Sequence, residues 1–594
     1  MKNKNVKSSS ALKSDNRPTV FAVVLFLIAV PILSQLVTDF FLNIDDDLFF
    51  TNNPHLRTLS WDNIRTIFTT YYGGNYHPVT TLIEAIEYQL FGLKASGFHT
   101  VSLLVHLLNG WLVYRLTAYF TERFELRAFV TGVFLLHPMH IEPVAWITDK
   151  TDLYYTAFFL LALGSYLRYI RQGGVRELVL TALLFILSLG CKPAAIAFPF
   201  LLWLMDWHFG RSLKKELPFK LSLVTVAVVF AYVTFTSLAA SDRISSELMP
   251  DYTLFQRFFV ANYAFSYYIV SFFLPFGLSA LHLAPAELPF HYYLAPLINA
   301  AICYGIYRLQ RKDKTVLTGF LFYVFTIGLV VQIVPSGYNV VAERYSYVPY
   351  IGIALAVGAL YVYSQSAGVR SRNANRLMIL FSAALIILSY RRAAEWKDLV
   401  SINRSIAEQN RESAYAQLSA GFQELNAGRI EEAMRHVEEA EAIDPENSDM
   451  HFLKAKVRYQ LKDTRAALQS FQKAKQTGSK RIELDGILAV LFFESAAYDS
   501  AEVYFTRVIV ADTARTAANF TNRALCRFNL SRYEDAVSDY TEALSIDPSL
   551  GNARAERGVC YAKLGKKEEA CADLQRAVAE GFVDYQPELQ ENCR

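Results

Sequence analysis

The 594-residue chain predicts an all-α protein in two parts: a multi-pass helical membrane domain of about eleven spans, then a solenoid of helical hairpins. Three observations carry this prediction. Long apolar runs alternate with charged loops as far as residue 396. Lys and Arg concentrate on alternate loops between those runs. After residue 412 the sequence repeats itself with a period of 34 or 35 residues.

A helix that crosses a bilayer needs about 20 mostly apolar residues. Runs of that kind fall at 19–42, 99–120, 127–143, 153–170, 177–191, 193–207, 220–240, 292–308, 315–335, 347–364 and 375–391. The stretch 256–280 reads as re-entrant or lying along the membrane. The loops richest in Lys and Arg are assigned to the cytoplasm, together with the basic N-terminal tail, 1–18. The membrane domain is then 19–396, a linker helix 397–411, and the repeat domain 412–594, outside the cytoplasm. The first apolar run is too long for a signal-peptide core and is read as a retained span.

Composition narrows the classes further. The chain is 53% hydrophobic and 14% aromatic, rich for a soluble protein, and the excess lies in its first part. With a net charge of +3 and no basic tract interleaved with aromatics, nucleic-acid binding is set aside. None of the six cysteines has CxxC spacing, so no zinc site is predicted. Cys526, Cys560, Cys571 and Cys593 lie in the repeat region, where an oxidising compartment would allow a disulfide.

The period is set by Ala433, Ala467, Ala501, Ala536 and Ala570, spaced 34, 34, 35 and 34 residues apart. Gly421 and Gly558 share a second position, and Gly428 and Gly565 a third. Small residues let paired helices cross closely, and Pro445 and Pro548 end the second helix of a pair. This is the tetratricopeptide pattern, in about five repeats. Such arrays hold peptides or partner proteins, or serve as scaffolds.

Three charged clusters sit on the predicted outer face. Asp45, Asp46 and Asp47 follow the first span. Successive carboxylates there repel one another and call for a cation, donors or a raised pKa, and a carboxylate pair there suits a general base or a divalent-metal site. A solvated acidic loop is the plainer alternative. The second cluster holds His137, His140, Glu142, Asp149, Lys150 and Asp152. Its histidines lack the helical spacing of a zinc pair, which leaves hydrogen bonding to a sugar or phosphate, or interfacial anchoring. The third is Glu343-Arg344-Tyr345, where an arginine fork suits a phosphate or pairs with Glu343. Lys192 is a further cation on the same face.

The ordered segments IDDDLFFTNNP, NYHPVTTLIEAIEYQLFGL, FHTVSLLVHLLN, HPMHIEPVAWITDKTDL, CKPAAIAFPFLLWLMDW and ERYSYVP resemble those of the TMTC-like proteins. These are the transmembrane and tetratricopeptide-repeat O-mannosyltransferase-like proteins of the GT-C glycosyltransferase superfamily. The resemblance covers essentially the whole chain. It implies a GT-C fold and transfer of a sugar, mannose first, from a polyprenyl-phosphate donor to an acceptor hydroxyl, with a protein acceptor favoured. It implies Asp45 and Asp46 as the catalytic acids and Asp47 as an extra acid. His77, His137, His140, Glu142, Asp149, Lys150, Asp152, Lys192, Arg344 and Tyr345 are the substrate-binding candidates. Lys150 stands where relatives have arginine, and Glu343 where they have aspartate.

No cofactor is predicted beyond the lipid-linked sugar, and metal use stays open. The expected partners are that donor, membrane lipid, and an acceptor protein held by the repeats. The expected location is a bacterial inner membrane with the repeats in the periplasm or outside. Two other classes compete: a non-enzymatic repeat scaffold for envelope assembly, and a flippase. The flippase reading expects midplane charges and a duplicated membrane half. The charges instead gather at one face.

Overall fold

The computed structural model describes residues 17–42, 45–239, 252–285, 287–311, 313–331, 339–366, 371–479, 481–511 and 516–593. The tail assigned to 1–18 lies outside them except for its last two residues. Every extended element among the described residues is helical. The sole β-type pairings there are two isolated bridges, Tyr72 with Asn75 and Leu283 with Asn339. The all-α class holds.

The chain divides into two compact units, Met1–Asn410 and Arg411–Arg594. In the first, the helices are α1 (Arg17–Leu33), α2 (Trp61–Thr69), α3 (Pro78–Phe91), α4 (Ala95–Thr117), α5 (Phe124–Leu136), α6 (Glu142–Ala145), α7 (Lys150–Gln172) and α8 (Val175–Cys191). They continue with α9 (Phe198–His208), α10 (Leu217–Ala239), α11 (Leu254–Phe273), α12 (Phe290–Leu309), α13 (Lys314–Ile327), α14 (Pro349–Ser366), α15 (Ser371–Glu395) and α16 (Leu399–Gln409). Proline sets several boundaries. Helix α5 stops before His137-Pro138 and α8 stops before Lys192-Pro193, because the residue before proline is pushed out of helical geometry. Helix α3 packs against α8 and α4, and α7 against α4 and α8. Helices α13 and α14 cross at Gly319 and Gly352, where an added Cβ on either would stand 2.4 Å from the other's carbonyl oxygen.

The expectation of about eleven spans is corrected. Among the described residues two helices are long and apolar enough to cross a membrane, Leu217–Ala239 and Arg372–Glu395. A third is added if the pair Phe124–Leu136 and Pro138–Ala145, bent by 55°, acts as one span. The physical reason is visible in the helices that fail. Helices α9 and α13 are only 11 and 14 residues long, and α7 carries Lys150, Asp152, Arg168 and Arg171 within its 23 residues. Apolar runs in the sequence exceed the unbroken apolar helices they form.

The second unit contains five helical hairpins among its described residues. They are α17 (Ala414–Asn426) with α18 (Ile430–Ile443), α19 (Ser448–Gln460) with α20 (Thr464–Gln476), and α21 (Ile482–Glu494) with α22 (Tyr498–Ala511). Then come α23 (Ala517–Asn529) with α24 (Tyr533–Ile546), α25 (Gly551–Lys563) with α26 (Lys567–Ala579), and a last helix, α27 (Gln586–Asn592). All five period-setting alanines are fully buried where the paired helices meet. A Cβ on Gly421 would come within 2.7 Å of Leu453, which explains its small size. A disulfide joins Cys571 in α26 to Cys593 just after α27.

Candidate functional site

The first acidic segment folds into a single wide helical turn, Asp47–Thr51, followed by a short turn that Asn53 caps through the His55 N–H at 2.9 Å. A tight reversal, Tyr72-Gly73-Gly74-Asn75, comes next. Both glycines have positive φ, 56° and 77°, as a two-residue hairpin turn with primed geometry requires. Helix α3 then opens after His77. Residues 77, 80 or 81, and 84 recur at helical spacing, so His77, Thr80, Thr81 and Glu84 form one stripe along it.

These elements enclose a cavity of about 200 Å³. Its wall includes Asp45, His55, His77, Glu84, Asp149, Lys192, Arg344 and Tyr345, with the hydroxyls of Thr70, Tyr72, Thr80, Thr81, Thr148 and Thr151 between them. Carboxylates, cations and hydroxyls from five separate stretches of sequence therefore share one polar chamber. Such a lining suits a ligand that combines hydroxyl groups with an anionic group.

Both cations are held from behind by carboxylates. Arg344 forms an ion pair with Glu142, and its Nη1 lies 3.4 Å from Asp149 Oδ2. Its guanidinium also stands over the rings of Tyr345 and Trp146, 5.1 and 5.4 Å from their centroids. Lys192 pairs with Asp152 and sits 5.7 Å from the Tyr345 ring centroid. At 14% and 15% side-chain exposure, these two cations reach the cavity yet are fixed in place.

The acidic triplet divides. Asp45 lines the cavity. Asp46 is buried and does not. Its Oδ2 accepts the Leu42 N–H at 2.8 Å, and its Oδ1 accepts the backbone N–H of Thr148 at 3.1 Å as well as the Thr148 hydroxyl. Burial pushes its pKa up to about 7, against the lowering effect of those hydrogen bonds. Asp47 is exposed, accepts the N–H of Leu48 at 2.9 Å, and stands outside the cavity wall.

Other sequence candidates fall away from the chamber. Lys150 is fully buried in an ion pair with Glu87, whose second oxygen takes the Tyr154 hydroxyl. It is committed inside the fold rather than to a phosphate. His137 and His140 are buried as well, because the turn Pro138–His140 folds them back among Phe134, Phe272, Tyr347 and Tyr350. His137 Nε2 lies 3.2 Å from the Phe272 carbonyl and His140 Nδ1 2.7 Å from that of Phe134. Glu142 and Asp152 meet the chamber only through Arg344 and Lys192. Glu343 holds Arg392, with Nη2 at 2.7 Å from its Oε1.

Like His55, Glu84 is a cavity residue that the sequence reading missed. It is 6% exposed, and burial raises its pKa well above the ordinary carboxylate range, reinforced by nearby Glu87 and Asp46 and opposed by Lys150. The signal was present in the sequence: Glu84 and Glu87 are two carboxylates three residues apart in an otherwise apolar helix, IEAIEYQLF, where charge is costly without a purpose. Among the described residues, no group of three His, Cys, Asp or Glu side chains is arranged to hold a metal ion.

The human protein O-mannosyl-transferase TMTC3 is 22% identical over 542 residues, covering 84% of this chain and 56% of the human protein. A protein O-mannosyl-transferase of Caenorhabditis elegans is 25% identical over 415 residues, covering 64% and 56%. The Drosophila melanogaster protein O-mannosyl-transferase Tmtc1 is 31% identical over 134 residues, covering 22% and 16%. The chain thus resembles TMTC O-mannosyl-transferases over most of its own length and spans about half of theirs. A family model described as coatomer epsilon subunit matches residues 380–579. A solved structure titled as YrrB, a TPR protein with an unusual peptide-binding site, is 19% identical over 31% of this chain and 93% of that one, with a TM-score of 0.29.

Proposed function

We propose that the chain is a multi-pass membrane glycosyltransferase that moves a sugar, mannose first, from a polyprenyl-phosphate donor to a hydroxyl of a protein acceptor. The observation that carries the reading is the meeting of Asp45, Lys192 and Arg344 in the wall of one cavity. The similarity to proteins named O-mannosyl-transferases supports it.

In this reading Arg344 and Lys192 bind the donor phosphate. Asp45 takes the proton from the acceptor hydroxyl as its oxygen attacks the anomeric carbon. The bond from that carbon to the phosphate oxygen breaks, and polyprenyl phosphate leaves as an anion. The two cations stabilise the charge on the leaving group, so no separate acid is required. A single displacement inverts the sugar carbon. Asp46 acts as a positioning residue that ties the acidic segment to Thr148. His77, Asp149 and Tyr345 complete the substrate wall. Glu142 and Asp152 set the two cations.

The reaction is assigned to the extracytoplasmic face of a bacterial inner membrane, with the repeats holding the acceptor. The disulfide Cys571–Cys593 supports an oxidising surrounding for that unit. The test is incubation of the purified protein in lipid nanodiscs with a panel of polyprenyl-phosphate sugars and Ser/Thr peptides, read by mass spectrometry. A hexose increment on a hydroxyl residue is expected. Silence across the panel, from protein that binds the carriers, contradicts transfer and leaves the repeat scaffold as the function.

A further inference from the structure

We propose that Glu84 is the residue that reads the sugar of the bound donor, hydrogen-bonding one of its hydroxyls from the cavity wall. This rests on the reading of the chamber as the donor site and deepens it.

The placement of Glu84 separates it from the other acids. Asp149 stands beside Arg344, while Asp152 is bound to Lys192 and is not part of the cavity wall. Glu87, one turn along the same helix, takes Lys150. Glu84 lies on the stripe that begins at His77 and continues through Thr80 and Thr81, all in the cavity wall. Thr80 is committed elsewhere: its hydroxyl donates to the Cys191 carbonyl at 3.2 Å, which fixes α3 against the end of α8 beside Lys192. The stripe is therefore held in register with the phosphate-binding cations.

Burial decides the form of Glu84, and the charges around it are a smaller influence. Glu87 and Asp46 press in the same direction, and Lys150, the cation that opposes them, is engaged by Glu87. A buried carboxyl in that setting favours its protonated form. It then offers an O–H donor and a carbonyl acceptor side by side. A sugar hydroxyl both accepts and donates, so the pair can satisfy it completely, whereas a second phosphate-type anion gains less. Sites built on a hydroxyl contact reject ligands that lack that hydroxyl, because the protein group is left unpaired. Glu84 thus supplies selectivity among sugars, while Arg344 and Lys192 supply affinity for any polyprenyl phosphate.

The experiment uses the full chain in nanodiscs and measures binding of polyprenyl-phosphate mannose, its single-deoxy analogues, and bare polyprenyl phosphate, with uncharged polyprenol as reference. The wild-type protein should prefer the mannose-bearing carrier over the bare one by roughly tenfold. Glu84→Ala should erase that preference and leave affinity for the bare carrier unchanged. Glu84→Gln, neutral and equal in size, should keep most of it. One deoxy analogue should reproduce the Glu84→Ala loss on unmutated protein, so the result does not depend on a variant that folds. Equal loss for both carriers in Glu84→Ala, loss in Glu84→Gln as deep as in Glu84→Ala, or indifference to every deoxy analogue overturns the assignment. Failure to prefer bare polyprenyl phosphate over polyprenol instead strikes the donor-site reading itself, and the Glu84 assignment with it.

Discussion

Asp46 accepts a hydrogen bond from the backbone N–H of Thr148 at 3.1 Å, across 102 residues of sequence. The Thr148 hydroxyl bonds the same carboxylate oxygen, and Leu42 binds the other. One side chain therefore joins the acidic segment that presents Asp45 to the segment that presents Asp149. Neighbours in sequence, Asp45 and Asp46 differ in setting: Asp45 lines the cavity and Asp46 does not.

That tie has a pH signature. The Asp46 pKa is near 3.8 in the unfolded chain and pushed up to about 7 in the folded one. The folded state then binds more protons than the unfolded state between those values. The contribution to stability is complete below the lower value and is lost as pH rises through the upper one. Melting temperature should fall over this window in the wild-type protein, and Asp46→Asn should flatten that part of the profile. Parallel profiles for the two proteins would contradict the buried environment.

Lys150 and Glu87 are a structural pair, 0% and 5% exposed at their side chains. Removing one partner leaves a buried, uncompensated charge, which costs on the order of 3–5 kcal/mol. Lys150→Met and Glu87→Leu should each destabilise the protein severely, and the double variant should recover much of the loss. Thermal unfolding of the four proteins measures the coupling. A Lys150→Met protein with wild-type stability and weakened donor binding would return Lys150 to the phosphate site.

The repeats carry a third, independent prediction. Gly428 and Gly565 take left-handed backbone at the turn between paired helices, and Lys462, Ala496 and Ser531 occupy the same repeat position with φ of 61°, 59° and 58°. A side chain is disfavoured there. Glycine at any of the three should raise stability by about 0.5–1 kcal/mol, measured by urea unfolding. Destabilisation by all three would show that the side chains matter more than the backbone strain.

The disulfide Cys571–Cys593 closes the end of the array over a separation of 22 residues. Loss of either cysteine should cost roughly 2–4 kcal/mol in oxidised protein and nothing after reduction. Unfolding with and without dithiothreitol measures this. Equal stability in both conditions would remove the bridge from the account.

The periodic parts of this fold were the legible parts. Ala433 and its four counterparts announce five hairpins because one alanine per repeat must sit where two helices cross. Asp45, Lys192 and Arg344 were also legible, since charge at a predicted membrane edge demands a reason. Lys150 was not: its partner Glu87 lies 63 residues away, and no local pattern encodes that pairing. His137 and His140 read as polar lining, yet the turn after α5 folds them into an aromatic core. The span count failed for a related reason. Hydropathy averages over a window, whereas proline breaks and single charges decide whether one unbroken apolar helix forms.

The central claim is that Asp45 and the cations Lys192 and Arg344 act on one substrate. It is tested most directly by Asp45→Asn, measured for donor binding and for single-turnover sugar transfer in the same preparation. The account predicts unchanged affinity for the polyprenyl-phosphate sugar and transfer slowed by at least about a hundredfold. An Asp45→Asn protein that transfers sugar at the wild-type rate would contradict it.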